Sequence, residues 1–172
     1  MHDTPPNAAP HRRAFSTGFE QRSGEMMVYG GVLVGLFALS VAIPRESFAL
    51  FVVSAVAFAV AYYHWPLVQR TRAQLAVAER GFAVAGLGVI SWDAIRTADI
   101  VERAVRSIRN AELHLSLSRP LPLALVEAER PSLARQLMYR VWRVPQPDRI
   151  VIKLEPLHAS PEEIVAVVRA NL

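Results

Sequence analysis

The chain has 172 residues, 19 Lys and Arg against 15 Asp and Glu, and no Cys. The missing Cys excludes disulfides, zinc–thiolate and iron–sulfur centres, and any thiol nucleophile. With 52% apolar and only 20% charged residues, the composition fits a small domain joined to segments that sit in lipid.

Residues 1–25 are polar and aperiodic, with Pro5, Pro6 and Pro10, and read as a disordered tail. Charge then disappears twice: Met26–Pro44 and Ser47–Gln69 contain no Asp, Glu, Lys or Arg. An uncharged apolar run of about 18 to 22 residues, as a helix, spans roughly 30 Å of hydrocarbon. Both runs are apolar on every side, so a transmembrane hairpin is expected, with spans of about 26–43 and 47–68 and a turn at Pro44-Arg45-Glu46. Two other readings compete. A buried hairpin in a soluble domain would need more surrounding mass than this chain has. A signal peptide cleaved near Ser40-Val41-Ala42 conflicts with the long leading segment and with the second span that follows at once.

Arg12, Arg13 and Arg22 precede the first span and Arg70 and Arg72 follow the second, whereas the turn holds Arg45 beside Glu46. Basic flanks stay on the cytoplasmic side, so both termini are expected there. Tyr62, Tyr63 and Trp65 form an aromatic belt at the inner interface. His64 reads as a member of that belt rather than a proton relay, since neither span carries a carboxylate to partner it. Gly31 and Gly35, Ala55 and Ala59, and Ala57 and Ala61 are small-xxx-small pairs. They suit either packing of the two spans on each other or docking onto another membrane protein.

Beyond Gln69 the pattern shortens to alternating runs, the mark of antiparallel strands. Leu75 and Val77 alternate before a turn at Arg80-Gly81, and Phe82 and Val84 alternate before Gly86 and Gly88. Ile100–Val105 reads as a further strand. In Ala111–Ser118, Leu113, Leu115 and Leu117 face one way and Glu112, His114 and Ser116 the other. Arg149–Glu155 repeats this with Ile150, Ile152 and Leu154. Residues 160–171 form a terminal helix, with Ser160 as N-cap, Pro161 at the first position, Glu163 completing a capping box, and Ile164, Val167 and Val168 inward. Strands followed by such a helix suggest a barrel or bent sheet plugged by it.

Between these strands, residues 132–143 read as a basic amphipathic helix. Leu133, Leu137, Val141, Ala134, Met138 and Trp142 fill one half, and Arg135, Tyr139, Arg143, Gln136 and Arg140 the other. Such a helix suits an anionic membrane surface, with Arg135, Met138, Arg140, Trp142 and Arg143 as interface candidates. It equally suits packing on the barrel with solvated arginines.

No nucleophile elbow, zinc-binding helix motif, dinucleotide fingerprint or P-loop occurs. The five His are scattered without ligand spacing. Asp93 and Asp99 fit turn or cap roles, and the run Arg103, Arg106, Arg109 lacks the aromatic interleaving of a nucleic-acid surface. No catalytic, cofactor-binding or metal-binding residue is expected, and no nucleic-acid partner.

The run Gly81-Phe82-Ala83-Val84, then Gly88-Val89-Ile90-Ser91-Trp92-Asp93-Ala94-Ile95, resembles the second-to-third strand region of bacterial pleckstrin-homology-like domains. That group often shows an I-x-W-x-x-I segment, ends in a strand and helix as in Ile150–Leu172, and carries two spans before the domain. The resemblance covers about residues 26–172, and Leu121–Pro147 departs from it by its length. It implies an α+β membrane protein, a transmembrane hairpin followed by a small antiparallel β domain at 70–172 capped by a C-terminal helix, in the bacterial inner membrane. The expected role is non-enzymatic: an interaction or scaffold protein, or an accessory subunit of a membrane complex. Its partners would be membrane lipids, a larger membrane protein or a second copy. The alternatives are a lipid-headgroup-sensing regulator and a component of an oligomeric membrane enzyme or transporter.

Overall fold

The computed structural model describes residues 15–20, 24–69, 72–105 and 108–172, without the side chains of 103–105 and 108–109. The expected cationic run Arg103, Arg106, Arg109 and residues 1–14 of the expected tail fall outside this description. Two helices, α1 (Glu25–Arg45) and α2 (Phe48–His64), form an antiparallel pair. With the 3-10 turn Trp65–Val68 that extends α2, both are long and apolar enough to cross a membrane. In their most apolar stretches only 22% and 17% of residues are buried, which is the reverse of a core helix.

The seam between them is built from small side chains. On α1 the inward positions are Val28, Gly31, Gly35, Ala38 and Ala42, and on α2 Leu50, Ser54, Ala57 and Ala61. This alternation of three- and four-residue steps keeps one stripe of each helix on the other. A Cβ on Gly31 would lie 2.9 Å from the Ala57 carbonyl oxygen and 3.1 Å from the Ala61 Cβ, and one on Gly35 would lie 3.0 Å from the Phe58 ring. Buried Ser54 donates its hydroxyl to the Gly35 carbonyl at 2.8 Å. Gly31 and Gly35 therefore serve intramolecular packing together with Ala57 and Ala61. Ala55 and Ala59 lie on the exposed side of α2, away from the seam.

Pro44 and Arg45 remain helical, so the expected turn is displaced to Glu46-Ser47. Glu46 adopts φ 47°, and its amide and that of Ser47 close back on carbonyls of the last turn of α1. A left-handed residue at this place satisfies orphan carbonyls as a C-terminal cap does.

The rest of the chain forms two antiparallel sheets. One is ordered β1-β2-β3-β4-β7, from β1 (Ser16–Thr17), β2 (Leu75–Ala78), β3 (Gly81–Val84), β4 (Gly88–Ser91) and β7 (Leu125–Ala128). The other is ordered β5-β6-β9-β8, from β5 (Ile95–Val105), β6 (Ile108–Leu117), β8 (Trp142–Gln146) and β9 (Arg149–Lys153). Gly86 and Gly88, at φ +78° and +120°, supply the backbone of the β3–β4 turn that other residues resist. The 3-10 turn Trp92–Ala94 carries the chain from the first sheet to the second. One core spans both sheets: Leu75, Phe82 and Ile90 from the first meet Leu113, Leu115, Ile150 and Ile152 from the second. Fully burying a side chain of this size contributes about 1.5–3 kcal/mol.

The terminal helix α5 (Pro161–Arg169) closes this core. Ser160 Oγ accepts from the Glu163 amide at 3.2 Å, the expected cap. Its buried face is Ile164, Val165 and Val168. Val165 takes the place expected for Val167, which is only half-buried. Arg169 reaches back to donate to the Ala98 carbonyl and to pair with Asp99 at 3.1 Å.

Two expectations fail. Part of the expected disordered tail is structured: Ser16 and Thr17 pair with Ala76 and Leu75, and Phe19 bridges Leu157. The cause is that this segment fills the gap between β2 and the loop after β9. Val77 and Gln74 donate to Phe15 and Thr17, and Ala159 donates to Thr17 Oγ1. The expected amphipathic helix 132–143 does not form either. Only α4 (Leu133–Gln136) is helical, preceded by another four-residue helix, α3 (Leu121–Ala124), while Trp142 begins β8. A helical moment counts side-chain spacing alone, and here sheet pairing of Trp142 and Arg143 with β9 overrides it.

The glycines test the seam. In a thermal melt of the full chain in detergent, Gly31→Leu should lower Tm, with overpacking of about 1–3 kcal/mol. Gly30→Leu, where no atom lies within 4 Å of a Cβ, should leave it unchanged. Equal effects at both positions would exclude this seam.

Candidate functional site

The most distinctive arrangement lies where the end of α2 meets the β domain. A helix ends with carbonyls that have no partner in the helix. One of these, on Tyr63, accepts the backbone amide of Tyr139 at 2.8 Å. Beside it, the Tyr62 hydroxyl donates to the Ala134 carbonyl at 3.1 Å. The Tyr139 ring stands edge-on to Tyr63 at 6.1 Å, lies nearly parallel to His64 at 6.3 Å, and meets Phe19 of the N-terminal segment at 6.3 Å. Burial, with smaller effects from Tyr63 and Glu155, raises the Tyr139 phenol above its usual pKa, so it stays neutral. His64 Nδ1 donates to the Val60 carbonyl at 2.9 Å, which fixes it as a helix-end residue.

Next to this junction is an open pocket of about 450 Å³, lined by Trp65, Gln69, Arg72, Arg130, Ser132 and Arg135 among others. Arg72 is ion-paired to Glu129, whose other oxygen accepts the Gly86 amide at 2.6 Å. The Glu129 charge is thus committed to holding the loop together. Among the described residues, the Arg135 guanidinium makes a long contact to Gln69 Oε1, 3.4 Å, and one to Met138 Sδ. No carboxylate among the described residues lies within ion-pair distance of Arg135 or Arg130. Burial and the neighbouring Arg72 charge both push the Arg135 guanidinium below its ordinary pKa. Arg72, Arg130 and Arg135 thus line the pocket together with Glu129, whose carboxylate pairs with Arg72.

The pocket is flanked by apolar side chains turned outward: Leu133 is 80% exposed and Leu137 71%. Tyr62, Tyr63 and Trp65, each a little under half exposed, lie at the same end of the helix pair. Of the expected interface residues, the structure brings together Tyr62, Tyr63, Trp65, Arg135 and Met138. Arg140, Trp142 and Arg143 lie elsewhere. Trp142 donates its indole N–H to the Ala85 carbonyl at 2.9 Å and carries Arg140 over its ring, and Arg143 pairs with Glu112. β8 carries Trp142 against the core and Arg143 to the outer sheet face, while Arg140, just before it, donates back to the Gln136 carbonyl at 2.8 Å. Sequence reading missed Gln69 and Arg130 as members of the pocket, because about 60 residues separate its two walls and no local pattern joins them.

Two further groupings lie on the outer faces of the sheets. On the outer face of the first sheet, a trough of about 440 Å³ runs over Ala76, Ala83 and Val89, with Arg72 and Glu129 at its rim. On the outer face of the second, Glu112 accepts from Arg143 at 3.1 Å and pairs with His114 at 3.2 Å. Asp93 is held by Ser91 and by one Arg119 nitrogen that donates to both of its oxygens at the corner between the sheets, and Asp99 pairs with Arg169, so both serve structure. Among the described residues, no three His, Asp or Glu side chains gather closely enough to hold a metal ion.

Burial of Glu112 raises its pKa, but the His114 and Arg143 bonds outweigh this and leave it below the ordinary 4.5. With the folded value below the unfolded one, its contribution is complete above pH 4.5 and is lost as pH falls through the folded pKa. Unfolding free energies of wild type and Glu112→Gln should therefore differ at pH 7 and converge toward pH 3. A gap that is constant with pH would refute the pairing.

Comparison with protein-family models, with curated proteins and with solved structures returns no match.

Proposed function

We propose that this chain is an integral membrane protein whose helices α1 and α2 cross a bilayer as a hairpin and hold the β domain flat against one leaflet. It would act there as a non-enzymatic interaction domain, a scaffold or an accessory subunit. The observation that carries this reading is the inverted build of the helix pair. Glycine, alanine and serine fill its seam, while Leu33, Leu36, Phe37, Phe48, Phe51 and Val56 are turned out. In water that arrangement exposes a large apolar surface, and in lipid it is the usual one.

The attachment of the domain supports the rest. It is tied by main-chain and side-chain bonds to the end of α2, and the chain entering α1 packs there too, where Leu67 leaves no room for a Cβ at Gly24. Both ends of the hairpin thus meet on one side. The arginine-rich flanks favour the cytoplasm for that side, in a bacterial inner membrane if the pleckstrin-homology-like resemblance holds. A domain held in this way presents its two outer sheet faces at a set height, which raises the effective concentration of any partner in the same membrane.

The absence of Cys makes topology directly testable. Arg45→Cys should be labelled by an impermeant maleimide in intact cells, and Glu162→Cys only after permeabilisation. The protein should stay in membranes through carbonate extraction, and a mild-detergent preparation should retain a second protein at fixed ratio. Release by carbonate would overturn the hairpin. A solitary species would overturn the subunit role.

A further inference from the structure

The pocket beside the junction is charged in a way that the fold alone does not require. Arg72, Arg130 and Arg135 stand against a single Glu129, whose carboxylate is already taken by Arg72 and the Gly86 amide. Arg135 is partly buried, and among the described residues its guanidinium reaches neutral atoms, Gln69 Oε1 and Met138 Sδ. Holding like charges near one another in a partly desolvated pocket is unfavourable unless an anion joins them. Guanidinium groups present a planar fork of N–H donors that matches phosphate oxygens.

The position of the pocket selects among phosphates. Trp65, one of its walls, directly follows the last residue of α2 and belongs to the aromatic group at that end. Ser132, Ala134 and Arg135 face the pocket, while Leu133 and Leu137 of the same segment turn away into the surroundings at 80% and 71% exposure. The Tyr62 hydroxyl bond to Ala134 pins this segment to α2, so the exposed leucines and the arginines keep one geometry relative to the helix. A ligand matching both features is anionic at one end and apolar beyond it.

We propose that this pocket binds the phosphate of an anionic phospholipid, held by Arg135, Arg130 and Arg72, with the acyl chains running past Leu133 and Leu137 beside α2. The proposal rests on the hairpin reading, because only a bilayer at that height places the lipid there. It makes the junction a headgroup sensor: an occupied pocket joins Arg72, ahead of β2, and Arg130, after β7, to the α4 segment and α2.

The test is native mass spectrometry of the full chain in detergent, titrated with phosphatidylglycerol, with phosphatidylcholine of the same chains, and with inorganic phosphate. Wild type should retain phosphatidylglycerol in preference to phosphatidylcholine. Arg135→Gln should weaken that binding about tenfold, as loss of a charged hydrogen-bonded contact does, and Arg135→Lys should restore part of it. Arg130→Gln, at an exposed residue, serves as a second variant that leaves the junction intact. Leu137→Ser should weaken lipid binding while leaving inorganic phosphate unaffected. Arg149→Gln, at an exposed residue that opens β9 away from this pocket, should bind as wild type.

Wild-type affinity in both Arg135→Gln and Arg130→Gln would overturn the site. So would an equal loss in Arg149→Gln, which would show diffuse surface attraction. Inorganic phosphate binding as tightly as phosphatidylglycerol, with Leu137→Ser silent, would make this a site for free phosphate and overturn the lipid assignment. Release from membranes by carbonate, by contrast, would remove the hairpin whatever these titrations read.

Discussion

The amide of Tyr139 and the carbonyl of Tyr63 meet at the point where two differently built halves become one body. Helix α2 ends with carbonyls that need donors, and the segment after α4 supplies one instead of continuing as a helix. Once Tyr139 is held there, its ring gathers Phe19, Tyr63 and His64 around it. The N-terminal segment, the helix pair and the β domain thus converge on a single aromatic residue. The chain leaving Tyr139 must then extend, and Val141 enters the core while Trp142 starts β8. This explains both the short α4 and the outward turn of Leu133 and Leu137.

The two halves follow opposite packing rules. In the β domain large side chains such as Phe82, Ile90, Leu113 and Ile152 are buried, and the outward positions Glu112, His114 and Ser116 are polar, as the hydrophobic effect requires in water. In the helix pair the buried positions are Val28, Gly35, Ala38, Ala42, Ser54 and Ala61, mostly small, and the outward ones are large and apolar. Close approach of backbones replaces burial of bulk there, and the Ser54 hydroxyl finds the Gly35 carbonyl across the seam. In the proposed bilayer each half would meet the solvent its surface suits, and the junction would lie at the boundary between them.

Much of this was legible from local pattern. The charge-free runs marked the two helices. The alternation of Leu113, Leu115, Leu117 and of Ile150, Ile152, Leu154 marked β6 and β9 with the correct inward face. Ser160-Pro161 marked the start of α5. Such signals are readable because each depends on residues within a few positions of one another. The misreadings share the opposite property. Phe15–Phe19 looked like tail because its partners, β2 and the loop at Leu157, lie 60 to 140 residues away. Residues 132–143 do carry helical spacing, but no long helix forms there because Trp142 and Arg143 find strand partners on β9. Within the small-xxx-small pairs, spacing could not say that Ala57 and Ala61 face α1 while Ala55 and Ala59 do not.

By itself, the sequence determined the two apolar helices, the strands β6 and β9, the terminal helix and the direction of charge asymmetry, since hydropathy, caps and periodicity act over a turn or a strand. Only the tertiary structure decided which arginines would share a pocket. Arg72 follows α2, Arg130 follows β7, and Arg135 lies in α4. They come together because antiparallel pairing places β7 beside β4 and the Tyr62 and Tyr63 contacts draw the next segment onto the end of α2. Electrostatic sites depend on distance in space, and that distance is set by strand order and by one tyrosine junction.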